Sequence, residues 1–304
     1  MKNARTVLGD IPAVEMGFTY PHEHLHAVPP PSQKDRDLEL SNYAKSVDEL
    51  KLFRSVGGQT LVEASTLDYG RDLNALKKMS GESGVHVIAT TGFNKHVYYP
   101  EWVAQKTVDE IAAMLVKDIT EGGDGGTVRA GFIKIGTYYN MIHPLEEKTT
   151  IAAVLAQKIC GAPIWGHTEA GTMGMEILDI LEAEGGDFST VALGHLDRNA
   201  DEYYLLKLAD RGIYIQFDGP GKVKYYPDSV RVSLIKSLIA HGHADRMLIS
   251  GDMGRASYLE SYGGGPGFRF IKTKFIPRLV DEGVSPEDIE KIFIHNPQRW
   301  LGVF

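Results

Sequence analysis

The sequence predicts an α/β protein folded as a (β/α)8 barrel, and three observations support this prediction. Eight short apolar runs of β-like composition recur along the 304 residues. Segments with the apolar spacing of amphipathic helices lie between most of them. No glycine-rich phosphate-binding turn opens a helical segment, which argues against a doubly wound dinucleotide-binding sheet. The length is somewhat above the roughly 250 residues of a typical barrel, so one domain over residues 1–304 is expected.

The predicted strands are short, apolar and mostly bounded by glycine or a turn. Several end in a residue that can bind a cation or move a proton. In chain order the strands cover residues 17–20, 59–64, 85–91, 131–137, 162–167, 190–195, 213–218 and 247–252.

The predicted helices between these strands each have one apolar face. In residues 109–122, for example, Ile111, Leu115 and Ile119 lie on one side of the helix. The same spacing recurs in residues 172–186, 202–212 and 228–242.

Four loops that follow predicted strands are long. They cover residues 26–37, 94–102, 219–229 and 253–270. In a barrel of this type the loops after the strands form the active-site face, and long loops there are usually functional. The sequence therefore places an active site at the C-terminal ends of the strands.

Composition excludes several classes of partner. The formal net charge is -8 with scattered basic residues, which argues against a nucleic-acid partner. Cys160 is the only cysteine, so no intrachain disulfide can form, and its KICGAP context is typical of a structural cysteine at the end of a helix. The N-terminus lacks the apolar core of a signal peptide, and no stretch reaches the roughly 18 apolar residues of a membrane span. These features predict a cytoplasmic protein with no membrane partner.

Five of the predicted strands end in potential metal ligands. Two histidines two residues apart, in TYPHEHLH, point to the same side of an extended segment and could chelate one cation. Alone, such a pair would more often be two surface histidines, but further ligand-type residues follow the other strands. The full set is His22, His24, Lys134, His167, His195 and Asp252. Their convergence predicts a metal site at the mouth of the barrel.

Lys134 is the unusual member of this set because it lies between Ile133 and Ile135, where desolvation disfavours an ammonium group. It could extend to the barrel mouth or pair with Asp252. Alternatively, a neutral lysine can react with carbon dioxide to form a carbamate, whose two oxygens can bridge two cations.

The order of these ligands resembles the phosphotriesterase-like branch of the amidohydrolase superfamily. The motifs TYPHEHLH, GFIKIGT, GHTEAG, GHLDRN, SGDMGR and FIHNPQRWL carry the resemblance over nearly the whole chain. It implies two divalent cations, with zinc the usual metal and manganese or cobalt as substitutes. It also implies a homodimer, because dimers are common in the family. The implied ligands are His22, His24 and Asp252 for the more buried cation, His167 and His195 for the more exposed one, and Lys134 as a bridging N6-carboxylysine.

This ligand set predicts a metal-dependent hydrolase. Two cations about 3.5–4 Å apart can share a hydroxide at neutral pH because they lower the pKa of water. The hydroxide would attack a carbonyl or phosphoryl centre that one cation polarises. Asp252 would accept the proton and pass it to the leaving group as the catalytic residue.

The loops indicate the substrate, because the metal site alone suits a lactone, a carboxylic ester or a phosphotriester. Cations and phenols near the mouth favour a small molecule with a detached anionic group. The motifs KVKYYP, SGDMGR and YGGGPG resemble the phosphorylated furanolactone lactonases, which open 1,4-lactones of five-carbon sugars that carry a 5-phosphate. The implied substrate contacts are Lys224 and Arg255, with Lys222 and Tyr98.

Three alternatives remain open at this stage. A phosphotriesterase, or a carboxylesterase or acyl-lactone hydrolase, should have an apolar mouth, whereas residues 253–270 are polar and glycine-rich. A deacetylase or peptidase of the wider superfamily is more distant. A non-catalytic metal-binding scaffold would be expected to lack a ligand, but all six positions are filled. Glu169 and Asp197, just beyond two of the histidines, could orient a ligand imidazole, contact the substrate or cap a helix.

Overall fold

The barrel consists of eight parallel strands that neighbour one another in chain order. The computed structural model describes residues 2–304, and an antiparallel hairpin of β1 (Asn3–Thr6) and β2 (Gly9–Pro12) precedes the barrel. The barrel strands are β3 (Thr19–Glu23), β4 (Thr60–Glu63), β5 (His86–Gly92), β6 (Phe132–Thr137), β7 (Ile164–Thr168), β8 (Val191–Gly194), β9 (Tyr214–Phe217) and β10 (Met247–Ile249). The predicted (β/α)8 barrel is confirmed.

Helices follow the strands and cover the outside of the sheet. No helix in residues 2–304 is long and apolar enough to cross a membrane. The α-helices are α1 (Tyr43–Ser55), α2 (Leu73–Ser83), α3 (Trp102–Gln105), α4 (Val108–Thr120), α5 (Pro144–Cys160), α6 (Gly174–Ala183), α7 (Glu202–Asp210), α8 (Asp228–Ala240), α9 (Ile276–Asp281), α10 (Pro286–Glu290) and α11 (Asn296–Leu301), and π-helical turns span Ile271–Phe275 and Lys291–His295.

Two layers of buried side chains hold the barrel together. A large apolar cluster lies between the sheet and the helices, and a smaller one fills the barrel interior. At the N-terminal end of the strands, Trp300 of α11 packs 5.9 Å from Phe132, and its indole Nε1 donates to the carbonyl of Thr190 at 3.1 Å. This packing closes the N-terminal end of the barrel. The predicted active site lies at the opposite end.

Side chains join the first barrel strand to the last. Ser250 Oγ donates to the carbonyl of His22 at 2.7 Å and accepts from the backbone N–H of His22 at 3.1 Å. The fully buried carboxylate of Glu23 accepts from the backbone N–H of Gly251 at 2.6 Å. Burial raises the pKa of Glu23 to about 8. These contacts fix the segment that carries Asp252 against the strand that carries His22.

The first and last barrel strands end three residues away from their predicted ends, and most of the other strands end one residue away. The first strand was predicted at residues 17–20 but runs over Thr19–Glu23, so His22 lies within it. The last strand was predicted to reach residue 252 but ends at Ile249. His195 and Asp252 both lie beyond their strands with left-handed backbones, at φ 63° and 45°. That conformation lies outside the β region, so neither residue continues its strand.

Candidate metal centre and substrate cavity

A cavity of about 230 Å³ opens at the C-terminal ends of the barrel strands. Its lining includes all six predicted metal ligands and all four predicted substrate contacts. A larger cavity of about 790 Å³ lies at the opposite end, around Tyr214 and Arg246. Within residues 2–304 the structure brings together two groups of potential metal ligands, and all their members except Asp218 line the smaller cavity.

The first cluster consists of His22, His24 and Asp252. The Nε2 atoms of both histidines lie 3.4 Å from Asp252 Oδ1. His24 directs its other ring nitrogen to Ser65 Oγ at 2.8 Å, which leaves Nε2 free to bind a cation. Within residues 2–304 neither ring nitrogen of the buried His22 has a hydrogen-bond partner. An unpaired imidazole next to a carboxylate fits a divalent cation at this position.

The second cluster consists of His195, Asp218 and Asp252, and His167 faces the ring of His195. His195 Nε2 lies 2.8 Å from His167 Nδ1. The outer nitrogens lie 2.6 Å from Asp218 Oδ1 for His195 and 3.1 Å from Glu169 Oε2 for His167. A carboxylate that accepts the outer N–H leaves the inner nitrogen as a lone-pair donor. The 2.8 Å spacing of the inner nitrogens is a hydrogen bond, so one of them carries a proton here, and a cation shared by the two rings would displace that proton.

Burial keeps these imidazoles neutral, as metal ligands must be. Desolvation lowers the pKa of His167 to about 4, against a smaller opposing effect of Glu169. It lowers the pKa of His22 and His195 well below the ordinary value. The rings can therefore offer lone pairs across the neutral pH range.

Lys134 lies on β6 between the two clusters and is almost fully buried. Its Nζ donates to the carbonyl of Ala64 at 2.9 Å and lies 5.0 Å from the ring of Trp165. Within residues 2–304 no carboxylate oxygen is within 4.0 Å of this nitrogen, so the pairing with Asp252 considered from the sequence is not formed. Desolvation lowers the pKa of Lys134 to about 8, which makes the neutral, nucleophilic amine accessible near neutral pH.

Asp252 is held by two cations on the side away from the histidines. Its Oδ2 accepts from Arg198 Nη2 at 2.7 Å and from Lys222 Nζ at 3.0 Å. Although burial opposes ionisation, Lys222 and the neighbouring histidines hold the pKa of Asp252 well below its usual range. Arg198 was not among the residues predicted from the sequence. Its position three residues after His195, in GHLDRN, was the available signal.

The four predicted substrate contacts differ in whether they already bind other side chains of the protein. Lys224 Nζ lies over the rings of Tyr225 and Tyr258, at 4.9 and 5.2 Å, and within residues 2–304 no carboxylate oxygen is within 4.0 Å of it. Lys222 contacts Asp252, and Tyr98 accepts a hydrogen bond from Gln33 at 3.3 Å. Arg255 uses Nη1 to bind Asp35 at 2.6 Å and Asp37 at 3.3 Å.

The two carboxylates that were expected to orient an imidazole, contact the substrate or cap a helix differ in their contacts. Glu169 contacts His167 and also pairs with Lys95. Asp197 instead accepts from the backbone N–H of Gly219 at 2.9 Å and pairs with Arg231 at 2.6 Å. Asp218, which the sequence analysis did not select, supports His195. Its signal was its place at the end of the predicted strand 213–218.

A (β/α)8 barrel with histidine, lysine and aspartate side chains at the C-terminal ends of its strands is the architecture of a metal-dependent hydrolase. A sequence model described as the phosphotriesterase family matches residues 2–301. The chain belongs to the phosphotriesterase family.

Similar proteins in this family act on different bonds. The chain is 36% identical to a phospho-furanose lactonase of Mycoplasmopsis synoviae, over 99% of the chain and 92% of the relative. It is 33% identical to an N-acetyltaurine hydrolase of Danio rerio, over 98% and 97%. The crystal structure of a lactonase from Listeria monocytogenes matches with a TM-score of 0.96 and 38% identity, over 99% of both chains. These similarities support a phosphotriesterase-like hydrolase.

Proposed function

We propose that the protein is a metal-dependent lactonase that opens the 1,4-lactone ring of a phosphorylated five-carbon sugar. The observation that carries this proposal is the combination, in one cavity, of two groups of potential metal ligands with Lys224, whose ammonium group has no carboxylate oxygen within 4.0 Å among residues 2–304. The similarity to a phospho-furanose lactonase supports the same substrate class. The substrate is a small anionic molecule, and the single cysteine supports a reducing, cytoplasmic location.

Two divalent cations are the proposed cofactors, zinc first and manganese or cobalt as substitutes. His22, His24 and Asp252 would hold one cation, and His167 and His195 the other. Lys134, carbamylated by carbon dioxide, would bridge them. When bound, such a pair supplies a Lewis acid for the lactone carbonyl and lowers the pKa of the attacking water.

Asp252 moves the proton in this reaction. Its Oδ1 faces His22 and His24, and its Oδ2 accepts from Arg198 and Lys222, so transfer of a proton to Oδ2 requires one of these two donors to move away. The low pKa of Asp252 keeps the carboxylate ionised and able to accept the proton of the attacking water. The carbonyl carbon gains the water oxygen, the bond to the ring oxygen breaks, and Asp252 returns the proton to that oxygen. The product is a hydroxy acid.

The phosphate of the substrate is assigned to the side of the cavity formed by Lys224 and Arg255. Lys224 is placed between two phenol rings that limit its motion without neutralising its charge. Arg255 uses only Nη1 for its two aspartates, so its remaining guanidinium donors are available to a phosphate oxygen. Lys222 and Tyr98 also line the cavity.

A second candidate function is hydrolysis of an N-acyl taurine. The similarity to an N-acetyltaurine hydrolase favours it, and a sulfonate would suit the same lysine. The two candidates share the metal centre and differ in the bond that breaks, which is an ester in one case and an amide in the other.

The experiment that tests the proposal measures kcat and KM on four substrates with the metal-loaded protein and bicarbonate. They are a pentono-1,4-lactone 5-phosphate, its unphosphorylated parent, N-acetyltaurine and a neutral aryl phosphotriester. The phosphorylated lactone is expected to give the highest kcat/KM. Lys224→Ala should remove about 1.5–3 kcal/mol of its binding, roughly a tenfold to hundredfold rise in KM.

Val223→Ala is the matched control because Val223 neighbours Lys224 and is 74% exposed. It should leave KM unchanged. Equal kcat/KM on the two lactones would contradict the phosphate assignment. Faster release of taurine than of hydroxy acid would make the second candidate the function of this protein.

A further inference from the structure

One loop reaches both the proposed phosphate site and the catalytic carboxylate. The β9–α8 loop, residues 218–227, carries Lys224 at its exposed side. From the same loop, Lys222 Nζ donates to both the backbone carbonyl and Oδ2 of Asp252. Tyr225 provides a second connection, because its ring lies 4.5 Å from the guanidinium carbon of Arg198, which in turn holds Asp252.

Arg198 depends on its few partners for its position. Its Nη2 donates to Asp252 Oδ2 at 2.7 Å and lies 3.7 Å from Asp218. Its Nε is buried and has no hydrogen-bond partner within residues 2–304. The ring of Tyr225 is therefore a substantial part of what keeps the guanidinium in place.

Asp252 also depends on its surroundings. Its backbone has φ 45°, a left-handed conformation that costs a non-glycine residue free energy. Contacts with neighbours must maintain this conformation, and Arg198 and Lys222 supply two of them at the side chain. A change in either cation would alter where the carboxylate points.

The ring of Tyr225 is shared by two cations. Lys224 Nζ lies 4.9 Å from its centroid and Arg198 Cζ lies 4.5 Å from it. Two like charges at one ring repel each other, so each weakens the contact of the other. An anion bound to Lys224 offsets that repulsion and favours Arg198 against Tyr225.

We propose that Tyr225 and Arg198 are positioning residues that couple an anion at Lys224 to the placement of Asp252. The phosphate of the substrate then promotes bond cleavage in addition to binding. Binding energy from a part of the substrate that does not react is used in this way to raise kcat. The inference rests on the proposed function, because it requires a phosphorylated substrate.

The test compares kcat and KM on the phosphorylated lactone and on its unphosphorylated parent. Tyr225→Leu should lower kcat about tenfold on the phosphorylated lactone, the size of one partly desolvated cation–π contact. It should lower kcat on the parent lactone by a clearly smaller factor, because no anion at Lys224 then strengthens the contact of Arg198 with the ring. Tyr225→Phe keeps the ring and is the matched control, so it should retain the kcat of the unaltered protein on both lactones.

A double variant measures the coupling directly. If Lys224 and Tyr225 act through one pathway, Tyr225→Leu should lower kcat much less in a Lys224→Ala background than in the unaltered protein. Equal fold-changes in the two backgrounds would overturn the proposal. An effect of Tyr225→Leu on KM alone, or an equal loss of kcat on both lactones, would also overturn it.

Metal content gives a readout that does not depend on turnover. Tyr225 is 38% exposed, so Tyr225→Leu should fold and bind as many cations per chain as the unaltered protein by elemental analysis. A variant that lost metal would refute the coupling, because the lower kcat would then reflect an empty site. If the unaltered protein does not prefer the phosphorylated lactone, the proposed function fails. If it does, and Tyr225→Leu lowers kcat on both lactones alike, this inference alone fails.

Discussion

Replacing Asp218 with asparagine tests how the second histidine pair is prepared for a cation. Asp218 is fully buried and accepts two hydrogen bonds from His195, at 2.6 Å from Nδ1 and at 3.0 Å from the backbone N–H. Asparagine has the same shape but offers one acceptor oxygen and an NH2 group. If the oxygen takes the backbone N–H, the NH2 group faces Nδ1 and the ring must carry its proton on Nε2. That proton would occupy the position at which His195 meets His167.

The expected result is weaker binding of one cation. Loss of a hydrogen-bond partner behind a ligand histidine typically lowers metal affinity 10–100-fold, which is about 1.4–2.8 kcal/mol. Titration of the metal-free protein against a chromophoric chelator should show this fall at one of two sites, with the other unchanged. Activity at limiting metal should fall in parallel.

Asp228→Asn is the control for removing one negative charge near the cavity. Asp228 binds Arg231 at 3.0 Å and the backbone N–H of Gly221 at 3.1 Å, and neither contact involves a histidine. Its cation affinities should match those of the unaltered protein. Two unchanged affinities in Asp218→Asn, with intact folding of the metal-free protein, would refute the role assigned to Asp218.

Three further predictions follow from the same geometry. Lys134→Met should abolish turnover, because methionine forms no carbamate, and elemental analysis should show fewer cations per chain than in the unaltered protein. At constant dissolved carbon dioxide, reactivation of the metal-free protein should speed up about tenfold from pH 6 to 7 and level off above pH 8 to 9. The neutral fraction of the Lys134 amine rises steeply below its pKa of about 8 and levels off above it. For a lysine with the usual pKa of 10.5, the reactivation rate would keep rising to pH 10. Ser250→Ala should lower the free energy of unfolding of the metal-free protein by about 1–3 kcal/mol in urea denaturation, because the backbone of His22 loses its partner. An unchanged unfolding midpoint would show that Ser250 does not stabilise the junction between the first and last barrel strands.

The barrel and the positions of the ligand-type residues were predictable from sequence because each signal was local. A short apolar run ending in an ionisable residue marks a strand end, and parallel strands of a barrel bring those ends together. As this reasoning predicts, all six ligand-type residues, from His22 to Asp252, line one cavity. Local signals also identified α5 as ending at Cys160, where Gly161 adopts φ 70°.

The contacts between loops were not predictable in the same way. Arg198 binds Asp252 across 54 positions and Asp218 binds His195 across 23, so the sequence around each residue does not indicate which side chain it contacts. The pairing of Arg255 with Asp35 joins residues 220 positions apart, so neither side chain reveals its partner from its own neighbours. The first strand was predicted a few residues too early in the sequence, because GFTY is more apolar than PHE, the segment that completes the strand.

The most direct test of the central claim is an anomalous diffraction map from crystals of the protein reconstituted with zinc and bicarbonate. The account predicts two peaks in the cavity, one beside His22, His24 and Asp252 and one between His167 and His195. It also predicts continuous density from Lys134 Nζ to both peaks. A single peak, or no peak in a protein that still opens the lactone, would contradict a two-cation hydrolase.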